Sequence, residues 1–154
     1  MFIGRKRELE RLNGLWKKSI ASFVIIKGRR RIGKSRLIEK FSENTRVISL
    51  SGLPPDPHIK AQDQRDEFAR QLGRIFQIPI PYSQDWGDLF WHLAHHTQKG
   101  PVVIALDEIS WMGMKDRTFL GKLKTAWDQF LKKNPQLILI VCGSVSSWIE
   151  KNIL

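Results

Sequence analysis

Cysteine is almost absent from this chain of 154 residues: the one that occurs, Cys142, stands inside the apolar run LILIVCG. That excludes a disulfide framework and any metal site built on clustered thiolates, and it points to a reducing, cytoplasmic setting. Long apolar stretches are missing too. The first residues, MFIGRKRELERL, carry charge where a signal peptide needs its apolar segment, and no run approaches the ~20 residues that span a bilayer, so no membrane is expected. Repeats, low-complexity tracts and Gly/Ser linkers are absent. With 42% hydrophobic residues, the length suits one compact domain, residues 1–154, and is too short for two.

Acidic residues are scarce at one end. Residues 1–60 hold 15 Lys and Arg against 5 Asp and Glu, whereas residues 61–154 hold 11 against 10, and the net charge of +11 is therefore N-terminal. Such a region attracts polyanions such as nucleic acid; it equally suits a triphosphate, and solvated surface charge is the plainer alternative.

What is present is an alternation of helix and strand. Residues 5–18 space Leu9, Leu12 and Trp16 as a helix, and residues 22–27 (SFVIIK) form a short β-branched run. A helix over residues 34–44 follows, then a strand over residues 46–50 closed by the turn-rich SGLPPDP. Helices over residues 61–77 and 86–97 are predicted to bury Phe68, Leu72, Ile75, Phe76, Trp86, Leu89, Phe90 and Leu93. The continuous apolar runs at 101–106 (PVVIAL) and 136–142 (QLILIVC) suit central strands of a parallel sheet covered on both faces, with a helix over residues 119–133 between them. The pattern predicts a three-layer α/β fold with a mostly parallel sheet, whose ligands bind at the carboxyl ends of the strands.

The strongest motif lies at the end of the first strand. Gly28, Gly33, Lys34 and Ser35 in GRRRIGKS (28–35) fit GxxxxGK[ST], between a strand and an amphipathic helix. The two glycines let the backbone turn so that successive amides point inward, and the helix that follows directs its positive end at a phosphate. Lys34 adds a mobile charge for the β and γ phosphates, and the Ser35 hydroxyl is placed to ligate Mg²⁺. Arg29, Arg30 and Arg31 fill the variable positions, as an electrostatic funnel, a partner-facing surface or solvated charge. Ile32 and Arg36 complete the stretch expected to contact the nucleotide.

The second motif is PVVIALDE (101–108), a buried strand ending abruptly in two carboxylates. Asp107 would hold the Mg²⁺ shell opposite Ser35. Glu108 would orient or deprotonate a water in line with the γ-phosphate. After the last apolar run comes Ser144, on a strand expected beside the phosphate-loop strand; it is either a sensor of the γ-phosphate or a serine in an ordinary turn.

With these motifs in order, FIGRKRELERL (2–12), GRRRIGKSRLIEKF (28–41), VVIALDEISWM (102–112) and LILIVCGSVSSWIEKNIL (137–154), the chain resembles the archaeal and bacterial ATPase family of AAA+/STAND-type P-loop proteins over nearly its whole length. The resemblance makes the loop a Walker A motif and the acidic strand a Walker B motif. It implies ATP as the nucleotide and places Ile3, Gly4 and Arg5 near the adenine. The family pattern continues into a fifth core strand, a helical lid, a winged-helix region and a nuclease-like domain, all beyond Leu154; the expectation is thus an incomplete module with one sheet edge uncovered.

The function expected is an ATP-binding domain, an ATPase and hence a hydrolase, that hydrolyses Mg-ATP to drive or switch a larger protein or nucleic-acid remodelling assembly. The alternatives are a non-hydrolysing, ATP-responsive interaction module and a small-molecule phosphotransferase; the acidic pair argues against the latter. Expected partners are ATP, a further copy of the chain or another protein, and nucleic acid through the basic N-terminal region. His92, His95 and His96 lack the accompanying ligands of a metal site. The tryptophans are read mainly as core, and Arg117 as loop charge in preference to an arginine finger.

Overall fold

A computed structural model of the protein describes residue 10, residues 13–27 and residues 45–143. Four strands build the sheet: β1 (Ser22–Lys27), β2 (Arg46–Ser51), β3 (Val102–Asp107) and β4 (Leu137–Gly143). Between β2 and β3 run α1 (Ala61–Phe76) and α2 (Trp86–His95). Between β3 and β4 come the short α3 (Ile109–Gly113), α4 (Phe119–Gln129) and a 3₁₀ turn (Leu131–Lys133). All three strand pairings are parallel and the order is β1-β4-β3-β2, so β4 lies between β1 and β3.

The continuous apolar runs occupy the interior. Every residue of β4 and the first five of β3 are buried, as strands covered on both faces require. The period of two divides them: Val102, Ile104, Leu106, Leu137, Leu139 and Val141 join the larger core with α1, α2 and α4. Val103, Ile138, Ile140 and Cys142 face the other way, against Leu15, Trp16 and Val24. Within the larger core the rings of Phe68, Trp86, Phe90 and Phe119 meet mostly edge to face, with centroids 4.8–5.7 Å apart, the arrangement their quadrupoles favour.

Local chemistry sets the ends of these elements. The Asp85 carboxylate accepts the Gly87 N–H at 2.7 Å and so starts α2; that bond holds its pKa below the usual carboxylate range, with Lys122 adding to the effect. Gln77, in the left-handed region with φ 55°, closes α1. Buried Asn134 joins the starts of the interior strands: its amide donates to the carbonyls of Thr97 and Gly100, both at 3.0 Å, and its oxygen accepts the Gln136 N–H at 2.9 Å.

Some expectations are corrected. The helix predicted over 86–97 ends at His95, where Thr97 turns its hydroxyl back to the Leu93 carbonyl. The helix predicted over 119–133 stops at Gln129 and tightens into the 3₁₀ turn. Ile75 is 37% exposed near the end of α1, and Trp91 is 42% exposed on α2. The predicted helix over residues 34–44 lies outside the described residues; of the one over 5–18, residues 10 and 13–18 are described, and there the helix ends at Leu15 and gives way to a turn. Among the described residues, no helix is long and apolar enough to cross a membrane.

Candidate functional site

The carboxyl edge of the sheet gathers the strand ends from which the predicted site residues follow. Lys27 pairs with Gly143, and Ser51 pairs with Asp107. In sequence, Gly28 comes directly after Lys27 and Ser144 directly after Gly143. With strands spaced ~4.8 Å apart, the insertion of β4 leaves roughly 10 Å between β1 and β3 at this edge. The proposed nucleotide residues Gly28, Arg29, Arg30, Arg31, Ile32, Gly33, Lys34, Ser35 and Arg36, together with Ile3, Gly4, Arg5 and Ser144, lie outside the described residues.

The acidic pair is described in full. Asp107 is the last residue of β3 and is partly exposed. One of its oxygens, Oδ1, accepts the Glu108 N–H at 2.9 Å. Glu108 is 1% exposed and its backbone is left-handed, with φ 52° and ψ 49°. An L-residue with a Cβ pays ~1 kcal/mol or more for that conformation, and such strain collects where a side chain must be aimed. The turn is held from within, because the Glu108 carbonyl accepts the N–H groups of Trp111 and Met112 at 3.0 and 3.4 Å.

The loop after β2 supports the pair from the side. The Gly52 N–H donates to the Asp107 carbonyl at 3.3 Å, one step beyond the β2–β3 pairing. Two glutamines of α1, seven residues apart, fasten this loop. Gln71 accepts from Ser51 N–H and donates to the Ser51 carbonyl, both at 2.9 Å; Gln64 does the same for Leu53, at 2.8 and 3.0 Å. Each amide stands in for a neighbouring strand at the sheet's edge. The turn after α3 is tied down as well: Asp116 binds Arg65 at 2.5 Å and the Thr118 hydroxyl and amide at 2.6 and 2.8 Å, while the Lys115 ammonium reaches the Ile59 carbonyl. Between these segments opens a cavity of about 290 Å³ lined by Pro55, Pro57, Ile59, Gln64, Trp111 and Met114.

Sequence reasoning missed Gly52, Gln64 and Gln71. The available signal was that Gln64 and Gln71 flank Phe68 at helical spacing on the core-facing side of α1, where a polar residue needs a partner. The histidines make ring contacts: His95 stacks on Trp91 with centroids 4.9 Å apart, and His96 on Phe76 at 4.5 Å. Among the described residues, no group of three His, Cys, Asp or Glu is arranged to hold a metal. Arg117 is exposed in the turn after α3.

A parallel sheet in this order, with an acidic pair at the end of an interior strand, defines an α/β fold of the P-loop ATPase class. Solved structures share it. Cdc6p of Pyrobaculum aerophilum superposes with a TM-score of 0.63 at 15% identity, over 99% of this chain and 42% of that one. A Walker-type ATPase of Pyrococcus abyssi gives 0.62 at 20% identity, over 95% and 47%. The Orc1 protein of Aeropyrum pernix, solved in complex with DNA, gives 0.60 at 15% identity, over 95% and 40%. At these identities the likeness speaks to the fold.

The sequence narrows the class to a family. Residues 2–153 match the ATPase domain predominantly from Archaea, and the chain belongs to that family. An uncharacterized ATP-binding protein of Methanocaldococcus jannaschii is 49% identical over 51 residues, 33% of this chain and 86% of that protein. Another uncharacterized protein of the same archaeon is 28% identical over 152 residues, 98% of this chain but 31% of that protein. The chain thus spans about a third of this second relative and less than half of each solved structure.

Proposed function

We propose that this domain binds Mg-ATP at the carboxyl edge of its sheet and hydrolyses it, the change of nucleotide state driving or switching a larger protein or nucleic-acid assembly. The observation that carries the reading is the Asp107–Glu108 pair, the first partly exposed and the second buried, at the end of interior strand β3, with β4 between it and the strand that leads into GRRRIGKS. The ~10 Å between β1 and β3 is room for a γ-phosphate and a water between loop and acid. The ATP-binding relative from Methanocaldococcus jannaschii supports ATP as the nucleotide.

In this reading the amides of residues 28–35 and the Lys34 ammonium bind the phosphates. The partly exposed Asp107 carboxylate is a hard oxygen donor of the kind Mg²⁺ takes, so the residues fit the ion, and Ser35 would share in holding it. When bound, Mg²⁺ neutralises charge on the phosphate oxygens. Glu108 takes a proton from the attacking water as its oxygen bonds to the γ-phosphorus; the bond from that phosphorus to the bridging oxygen breaks, leaving ADP and phosphate. Ser144 follows the strand between them and would contact the γ-phosphate. Ile3, Gly4 and Arg5 would pack near the adenine.

Two variants of the whole chain test the roles. Lys34→Ala is expected to weaken nucleotide affinity at least tenfold in a titration with Mg²⁺ present. Glu108→Gln is expected to lower phosphate release ~100-fold while leaving affinity within ~2-fold, since general-base catalysis contributes about that much. Unchanged affinity in the first, or unchanged turnover in the second, refutes the corresponding role. Wild-type chain that binds ATP without releasing phosphate would favour the non-hydrolysing module. The N-terminal excess of basic residues adds a nucleic-acid-facing role for the same domain.

A further inference from the structure

The loop after β2 meets the acidic pair through a residue with no side chain. A Cβ built on Gly52 would lie 3.1 Å from the Glu108 carbonyl oxygen, 3.0 Å from the Met112 amide nitrogen and 3.0 Å from the Trp111 Cβ. Two of these are main-chain atoms of the turn that Glu108 opens, and the third is fixed to that backbone. None can swing aside as the tip of a long side chain does. Gly52 is immobilised from behind as well, because Gln71 and Gln64 clamp the backbone of Ser51 and Leu53 on either side of it.

We propose that Gly52 is a positioning residue for Glu108: the missing Cβ lets a clamped tripeptide stand directly against the first turn of α3, which sets the direction in which the Glu108 carboxylate leaves the end of β3. The inference rests on the reading of Glu108 as the base. A methyl group at position 52 forces a displacement of a few tenths of an ångström. The four clamping hydrogen bonds resist movement of the tripeptide, so the turn yields and the Glu108 peptide rotates with it. Asp107, bonded to both Gly52 and Glu108, stays at the end of the β3 ladder, and nucleotide affinity, carried mainly by residues 28–35 in the proposed reading, changes little.

The test compares phosphate release and nucleotide affinity in the full chain for Gly52→Ala, Glu108→Gln and the double variant. Gly121→Ala serves as control, since a Cβ there meets nothing within 4 Å. Because an error of ~1 Å in a reacting geometry costs ~100-fold, Gly52→Ala should lower kcat by roughly tenfold and leave the Kd for Mg-ATP within ~2-fold. In the Glu108→Gln background the same change should have no further effect, a non-additivity that mere loosening of the fold does not produce. Gly121→Ala should change neither quantity.

If Gly52→Ala slows the Glu108→Gln chain by the factor seen in wild type, or leaves the wild-type rate intact while Glu108→Gln reduces it, the positioning role is wrong and the base stands. If Glu108→Gln turns over as fast as wild type, the base itself is wrong and the positioning role falls with it. Should Gly52→Ala not fold, Gln71→Ala loosens the clamp without touching the turn. A smaller loss of kcat at unchanged Kd, absent in the Glu108→Gln background, is then expected, and an unchanged kcat overturns the inference.

Discussion

Replacing Asn134 by alanine should cost about 3–4 kcal/mol of stability, and the sum is built from three hydrogen bonds. The side chain is 4% exposed and serves the carbonyls of Thr97 and Gly100 and the amide of Gln136. Thr97 is 1% exposed, so its carbonyl is left without a donor where water has little access, a penalty of ~2 kcal/mol. The other two groups lie nearer solvent and lose ~0.5–1 kcal/mol each. For a domain of this size, that lowers Tm by roughly 10 °C. Chemical denaturation with urea measures the change directly. Asn134→Leu separates hydrogen bonding from volume, since it fills the space without replacing any of the three bonds, and it should be as unstable as the alanine variant to within ~1 kcal/mol. A loss under ~1 kcal/mol in either variant refutes the argument, because the freed groups would then have found other partners. The consequence reaches the site. Asn134 fixes where β3 and β4 begin, and Val102 pairs with Leu137 there, so the register in which the far ends of these strands meet depends on it.

Asp116 makes stability depend on pH. Burial pushes its pKa up, but the Thr118 hydroxyl and amide and the Arg65 guanidinium outweigh this and hold it below the usual carboxylate range. A carboxyl lowered in the folded state contributes stability above its unfolded value of ~3.9 and loses that contribution as pH falls through the folded value. Asp116→Asn should therefore be ~1 kcal/mol less stable than wild type at neutral pH, with the gap closing below about pH 4 in urea titrations; a gap independent of pH refutes the assignment. The nucleic-acid role predicts that DNA affinity falls steeply with salt, log K against log salt having a slope of ~0.9 per phosphate contacted, whereas a flat response removes it.

How much of this was legible follows from what each residue faces. The boundaries of β1, β3 and β4 came within about a residue of those read from SFVIIK, PVVIAL and QLILIVC; for β3 and β4 the reason is that interior parallel strands are apolar on both faces and the runs end where burial ends. The Asp107–Glu108 pair was legible for the same reason: two carboxylates directly after such a run mark the place where the chain leaves the core. Helix ends were less legible, since Thr97 satisfies its hydroxyl by bonding back to Leu93 and Ala94 after α2 has stopped. Trp91 has the composition of a core residue, and what keeps it at the surface is its position on the solvent side of α2, stacked on His95. The partners of Gln64, Gln71 and Asn134 were not legible, because they are backbone groups 11, 20 and up to 37 positions away. A polar side chain in a sequence does not reveal which main chain it completes.

The same distinction explains why one edge of the sheet needs help that its centre does not. Strands β3 and β4 are paired on both sides and buried along their lengths, so their ends are fixed by the ladder itself, and chemistry that tolerates little displacement is well placed there. Among the described residues β2 has a neighbour on one side, with Arg46, Val47 and Ser49 exposed. Left so, its carboxyl end would fray and the loop it feeds would drift away from the acidic pair. Gln71 and Gln64 replace the missing neighbour with two side-chain amides, each making both bonds that a strand residue would make. The edge strand thereby ends as firmly as an interior one, and Gly52, between the two clamps, can serve as a fixed surface against which the strained turn at Glu108 is held.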